Sequence, residues 1–243
     1  TLFPYTTLFR SSSKIVNKNI PDYYRPKIMY ISSERNILSV VEDVENVKKF
    51  PVMLSLLLTE YNKAKKSSPS GVFNLPFWDT QLKYDKYSNT TYAVKNGSIV
   101  NILNSSSGIQ SVAPMSVVSR YLAETTLSES KKSIQTLSYN ERERIRDWIV
   151  QNSEMPENMA ANFDKAFFQN TDEFLKSSPF FSRMLNFYFN RCFINVVEEP
   201  EQNLYPASQE KVLYELLELV NLTPQNRLLI TTHSPYIISY LTL

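Results

Sequence analysis

The last third of the chain alternates in a way that few folds accommodate. CFINVV, residues 192–197, is an apolar run of strand length. Residues 207–220 read as an amphipathic helix, with Val212, Leu213, Leu216, Leu217 and Val220 on one face. RLLITT is a second buried strand, and Pro235 opens another helix at a position that tolerates proline. Strand, helix, strand, helix predicts an α/β protein with a parallel sheet and crossover helices. Ligands of such sheets sit beyond the C-terminal strand ends. Glu198 and Glu199 stand at one such end, and Thr232 and His233 at the next. Topology alone therefore brings the carboxylates and the only histidine to one edge. Crowding Glu198, Glu199 and Glu201 there costs repulsion, which a cation or a proton would relieve. Side chains alternate along a strand, so the chain must turn at Glu199 if both carboxylates serve one site. Pro200 is expected to supply that turn.

The rest of the chain is less explicit. PKIMYIS reads as a short buried strand. Residues 40–66 read as helix with a break near Pro51. KKSSPSG is a loop. TYAVKNGSIVNILN holds two β-rich runs around Asn96-Gly97, which predicts a hairpin with a type I′ turn. SSSG at 105–108 then breaks the pattern, and 109–125 reads as helix. Residues 128–191 read as several helices rich in Phe and Tyr, with a capping box at Ser138 and Glu141 and breaks at Pro156 and Pro179. The net charge of +2 leaves no strong footprint for nucleic acid. No apolar run approaches the roughly 20 residues that cross a bilayer. Cys192 is the single cysteine, which excludes an internal disulfide and fits a reducing, cytoplasmic setting.

FINVVEEPEQNLYP, followed about thirty residues later by LLITTHSP, resembles the second half of an ABC-type ATPase head. The closest likeness is to the AAA-labelled ATPases related to the OLD family and to RecF and SMC heads. The resemblance covers most of 25–243 and is sharpest from Phe193 onward. It implies a P-loop NTPase fold with a Walker B strand, and ATP with Mg²⁺ as the ligands. Glu198 would hold the metal, Glu199 would act as general base on the attacking water, and His233 would contact the γ-phosphate. NSSSGIQS resembles the ABC signature loop, with Ser107, Gly108 and Gln110 at the matching nucleotide-binding positions. Ile109 stands where the usual pattern has a second glycine. The signature loop of such proteins reaches the nucleotide of another subunit, which implies a head-to-head homodimer. YISSERN resembles a family segment with Pro-Ala before Glu-Arg; Ser32 and Ser33 depart from it, and Arg35 receives no role. A DNA or nuclease partner is compatible with the family but has no sign in the sequence.

Two features suggest a fragment. TLFPYTTLFRS, residues 1–11, matches the translation of a common short-read sequencing adapter and is set aside. No G-x-x-x-x-G-K-[ST] occurs, and Gly71, Gly97 and Gly108 are too scattered to supply one. The expected organisation is adapter-like sequence at 1–11 and a partial ATPase core at 12–127. A helical insertion at 128–191 and the Walker B to switch-histidine part at 192–243 complete it. Two alternatives stand beside the ATPase: a metal-dependent nuclease using a Glu198, Glu199 and Glu201 cluster, and a non-hydrolysing ATP-gated clamp.

Overall fold

Parallel pairing is the first expectation to check. The structure, a computed structural model, describes residues 24–41, 44–47, 49–77, 79–132, 136–152, 167–168 and 179–242. β1 (Pro26–Ile31), β6 (Cys192–Glu198) and β7 (Arg227–Thr231) form a parallel sheet in the order β1-β6-β7. The register pairs Ile31 with Val197 and Glu198 with Thr231, so the three C-terminal ends lie along one edge. The crossover from β6 to β7 is the helix α6 (Pro206–Val220), opened by its N1 proline. A short helix, α7 (Pro235–Tyr240), follows β7 and is capped by the Ser234 hydroxyl.

β6 lies centrally and is buried at Cys192, Phe193, Asn195 and Val197. α3 (Ser107–Ser130) packs over it with a face of small residues, and Ser111, Ser116 and Ser119 are all buried. These serines bond outward from α3 instead of bending it. Ser119 Oγ accepts from Asn195 Nδ2 at 2.9 Å, and Ser116 Oγ donates to Glu215 Oε1 at 2.9 Å. Glu215 also pairs with Arg120, tying α3 to α6. Burial pushes the Glu215 carboxyl up, and Arg120 opposes that shift. α2 (Val52–Ser67) closes the core with Leu57 and Tyr61, held to β1 by Lys27 Nζ and Glu60 Oε2 at 2.6 Å.

Three expectations shift here. The helix expected over 40–66 is interrupted before Pro51. Among the described residues, a 3₁₀ turn at Ser33–Asn36 running into α1 (Ile37–Val40) and a second 3₁₀ turn at Val44–Asn46 precede it, separated because Val41 is extended (φ −104°, ψ 122°). The Asn96-Gly97 hairpin is present, with φ of 48° and 80° at the two turn residues, but it is half of a larger sheet. β2 (Val72–Asn74), β3 (Gln81–Asp85), β4 (Thr90–Lys95) and β5 (Ser98–Asn101) pair antiparallel in chain order. Gly71 enters that sheet at φ 65°, where a Cβ would come within 2.6 Å of the Tyr84 carbonyl oxygen. Finally, SSSG is not a loop throughout: α3 begins at Ser107, so Gly108 lies inside its first turn.

α3 continues to Ser130, past the expected boundary at 127. The helical part contains α4 (Tyr139–Asn152) and α5 (Pro179–Tyr188), and Leu137, Ile145, Ile149, Phe167, Leu185 and Phe189 form a core of their own. It joins the sheet at the opposite end from the carboxylates. Arg25 Nη1 reaches the Phe187 and Tyr188 carbonyls, and Arg191 Nη1 caps the carbonyls of Glu129, Ser130 and Lys132. Pro156 and the adapter-like segment lie outside the described residues. No described helix is long and apolar enough to cross a membrane.

The capping box forms as expected. Glu141 Oε2 accepts from Ser138 N at 3.0 Å and Ser138 Oγ at 2.9 Å, while Lys132 Nζ donates to Oε1 at 2.8 Å. Lys132 first, then Ser138, hold the Glu141 carboxyl down from its ordinary 4.5 to about 2. A depressed carboxylate contributes stability above its unfolded pKa and loses it as pH falls through the folded one. Glu141→Gln keeps the box and removes the titration. Its stability deficit against the parent should therefore vanish as pH drops from neutrality toward about 2, read by urea unfolding. A deficit independent of pH would contradict the assignment.

Candidate functional site

β6 ends at Glu198, and the next residue does what the sequence asked of Pro200. Glu199 itself adopts a left-handed backbone, φ 43°, and its N–H still donates to the Thr231 carbonyl at 2.8 Å. The turn is thus made at Glu199, the expected residue, by its own left-handed backbone rather than by Pro200. A proline at position 200 biases Glu199 away from the right-handed helical region, so it aids the turn without making it. A non-glycine residue at such φ is costly and needs support from its surroundings.

That support is Arg35, which lies just beyond the C-terminal end of β1 and is fully buried. Its Nε donates to the Ser111 carbonyl at 3.0 Å. Nη1 donates to the carbonyls of Ser32 at 3.2 Å and Glu198 at 2.7 Å, and Nη2 to that of Glu199 at 2.8 Å. Burial pushes the guanidinium down to about 10, against the opposing pull of Glu201, Glu199 and Glu198. One side chain therefore fastens the end of β1, the first turns of α3 and the strained end of β6. Gln202 adds a second link, accepting from Ser111 Oγ at 3.3 Å.

The carboxylates divide their work. Glu198 Oε2 accepts from Ser33 N at 3.2 Å. It also hydrogen-bonds Tyr30, whose hydroxyl this bond pushes up to about 12. Glu199 Oε1 faces His233 Nε2 at 3.8 Å, within ion-pair range but beyond a hydrogen bond. The imidazole is 90% exposed and Glu199 37%. Glu201 turns away and bonds the segment at 232–234 instead. Among the described residues, no group of three or more acidic, histidine or cysteine side chains is placed to hold a metal. The remaining arrangement suits Mg²⁺, which is commonly held by one or two carboxylates together with substrate phosphates. Glu198, at the strand end, is a carboxylate that could hold it.

The structure brings Glu198, Glu199 and His233 together on the expected edge. Ser107, Gly108 and Gln110 lie on the first turn of α3. Ser107 is exposed and Gly108 buried, and Ser106 takes the N-cap without a side-chain bond. No side chain thus caps the first-turn amides at a helix end that favours anions. Gln110 Nε2 donates to the carbonyls of Ile102 at 3.1 Å and Leu103 at 2.9 Å, which fixes its amide against the preceding turn. Ile109 packs against the core, which accounts for an apolar residue where glycine was expected. A hollow of about 310 Å³ beside α2 and β4, lined by Tyr61, Lys65 and Thr91 among others, has no acid or histidine among the described residues that line it.

Sequence reasoning left Arg35 without a role and placed Glu201 only in the nuclease alternative. The position of Arg35 beyond β1 was the available signal, since β1 ends on the same edge.

No curated protein and no solved structure matches the chain. Residues 189–238 match the family model described as "AAA ATPase domain". The matched segment contains β6, α6 and β7, and with the parallel sheet it fits a P-loop NTPase-like fold. The match lies over the part of the chain that carries Glu198, Glu199 and His233.

Proposed function

We propose that the chain carries the Walker B, signature-like and switch-histidine parts of an ABC-type ATP-hydrolysing head, related to the OLD, RecF and SMC families. The observation that carries this reading is the facing of Glu199 and His233 across adjacent strand ends, with Glu198 one residue behind. Bound Mg²⁺ would neutralise phosphate charge and orient the nucleotide oxygens. Glu198 would hold it. Glu199 accepts a proton from the attacking water as oxygen adds to the γ-phosphorus and the bond to ADP breaks. His233, exposed beside it, reaches the γ-phosphate from the neighbouring strand. Ser107, Gly108 and Gln110 present the α3 terminus to nucleotide held by a second copy, which makes the active form a homodimer.

This reading requires a phosphate-binding loop, and the sequence contains none. Such a loop supplies backbone amides and a lysine to the phosphates. The chain as it stands is expected to show no ATP binding in calorimetry. Micromolar, magnesium-dependent binding would contradict that expectation. In a parent protein that joins this chain to a phosphate-binding loop, Ser107→Arg should block the anion site. ATP should still bind the monomer, and the ATP-dependent dimer should be lost in light scattering. A Ser107→Arg protein that still dimerises with Mg-ATP would refute the signature-loop assignment.

A further inference from the structure

The exposed imidazole of His233 has little around it to fix where it stands. Its position must come from its backbone. Glu201 Oε1 accepts three hydrogen bonds from the segment at 232–234: one from the Thr232 side-chain hydroxyl at 2.7 Å and two from the backbone, His233 N at 2.8 Å and Ser234 N at 3.1 Å. Glu201 Oε2 is buried without a hydrogen-bond partner, so every bond this carboxylate makes goes to the histidine segment. Such charge-assisted bonds to amides are short and strong. Glu201 itself sits in a defined turn. Gln202 N donates to the Glu199 carbonyl at 3.0 Å, Leu204 N to the Glu201 carbonyl at 3.0 Å, and Asn203 is left-handed at φ 61°. A second strut runs beside it, from Ser234 Oγ to Gln209 Oε1 at 2.6 Å and from Gln209 Nε2 to the Leu204 carbonyl at 2.9 Å.

We infer that Glu201 is a positioning residue: it clamps the Thr232–Ser234 backbone to the turn that begins at Glu199, and so sets the His233 imidazole against the Glu199 carboxylate. The inference deepens the proposed ATPase reading and rests on it for its functional meaning, since the clamp places the switch histidine relative to the base. Its structural content stands without nucleotide.

The test uses the nucleotide-free chain and the fact that His233 is its only histidine. Imidazole resonances in a labelled sample then report this one side chain. Glu199→Gln should shift them in the parent background. In a Glu201→Ala background the same substitution should leave them almost unmoved. Glu201→Gln retains an acceptor at Oε1 and should restore the response. A merely structural role would change stability but would not decouple His233 from Glu199. If Glu201→Ala does not fold, Thr232→Val removes one of the three donors and should weaken the response. A full response in Glu201→Ala or in Thr232→Val would overturn the clamp, as would the absence of any response in the parent. These readings are independent of turnover, so failure of the clamp is separable from failure of the ATPase reading.

Discussion

Replacing Arg35 with methionine is expected to lower the free energy of unfolding by about 3–5 kcal/mol, as buried carbonyls on three segments lose their side-chain donor. Methionine fills much of the volume and removes every side-chain donor. The carbonyls of Ser111, Glu198 and Glu199 would each lose the bond that the guanidinium supplies, while that of Ser32 keeps the backbone N–H of residue 35. A buried acceptor left without a partner costs about 1–3 kcal/mol, so a few such losses reach the expected total. The left-handed backbone of Glu199 would lose its external support as well. Arg35→Lys should recover little. One ammonium cannot reproduce the planar fork that reaches carbonyls on three segments. Urea unfolding of both variants checks this through the midpoint at unchanged slope. A change below about 1 kcal/mol, the scale of an ordinary surface substitution, would show that the segments are held by other means.

The elements that sequence reading places well are those with local signals. β6 and β7 are apolar runs of strand length, and the apolar face of α6 repeats with helical period. Pro206 and Pro235 mark the first turns of α6 and α7. Asn96-Gly97 dictates its turn through positive φ, and Ser138 with Glu141 closes a box within four residues. What stays hidden depends on partners distant in sequence. β2 is three residues long and has no pattern until β3 is beside it. Arg35 bonds only backbone carbonyls, and carbonyls are the same for every residue type. Its neighbours in sequence therefore say nothing of Ser111, Glu198 or Glu199. Glu201 enters the sequence reading only through the nuclease alternative, because its charge is visible there and its bonds to residues 232–234 are not. The turn at Glu199 is legible in the sequence, but its left-handed backbone is not. Proline signals a turn nearby, whereas the residue that bends is set by the Arg35 and Thr231 contacts.

Glu199→Gln should reduce ATP hydrolysis by the parent protein about 10²–10⁴-fold, the usual contribution of a general base. The amide keeps the shape of the carboxylate but cannot take the proton from water. Nucleotide binding should survive. Glu198 remains available to the metal, anchored by Ser33 N and Tyr30, and the phosphate-binding loop still holds the phosphates. With hydrolysis blocked, nucleotide should stay bridged between two copies through the α3 terminus, and the variant should run as an ATP-dependent dimer. The fold near the site should be unchanged, because Arg35 holds the Glu199 backbone through its carbonyl and not through its side chain. The direct measurement is steady-state Mg-ATP turnover of parent and Glu199→Gln proteins, with binding of ATP confirmed for both. A loss of about two orders of magnitude or more with binding intact is the result this account predicts. Hydrolysis by Glu199→Gln at the parental rate would contradict it.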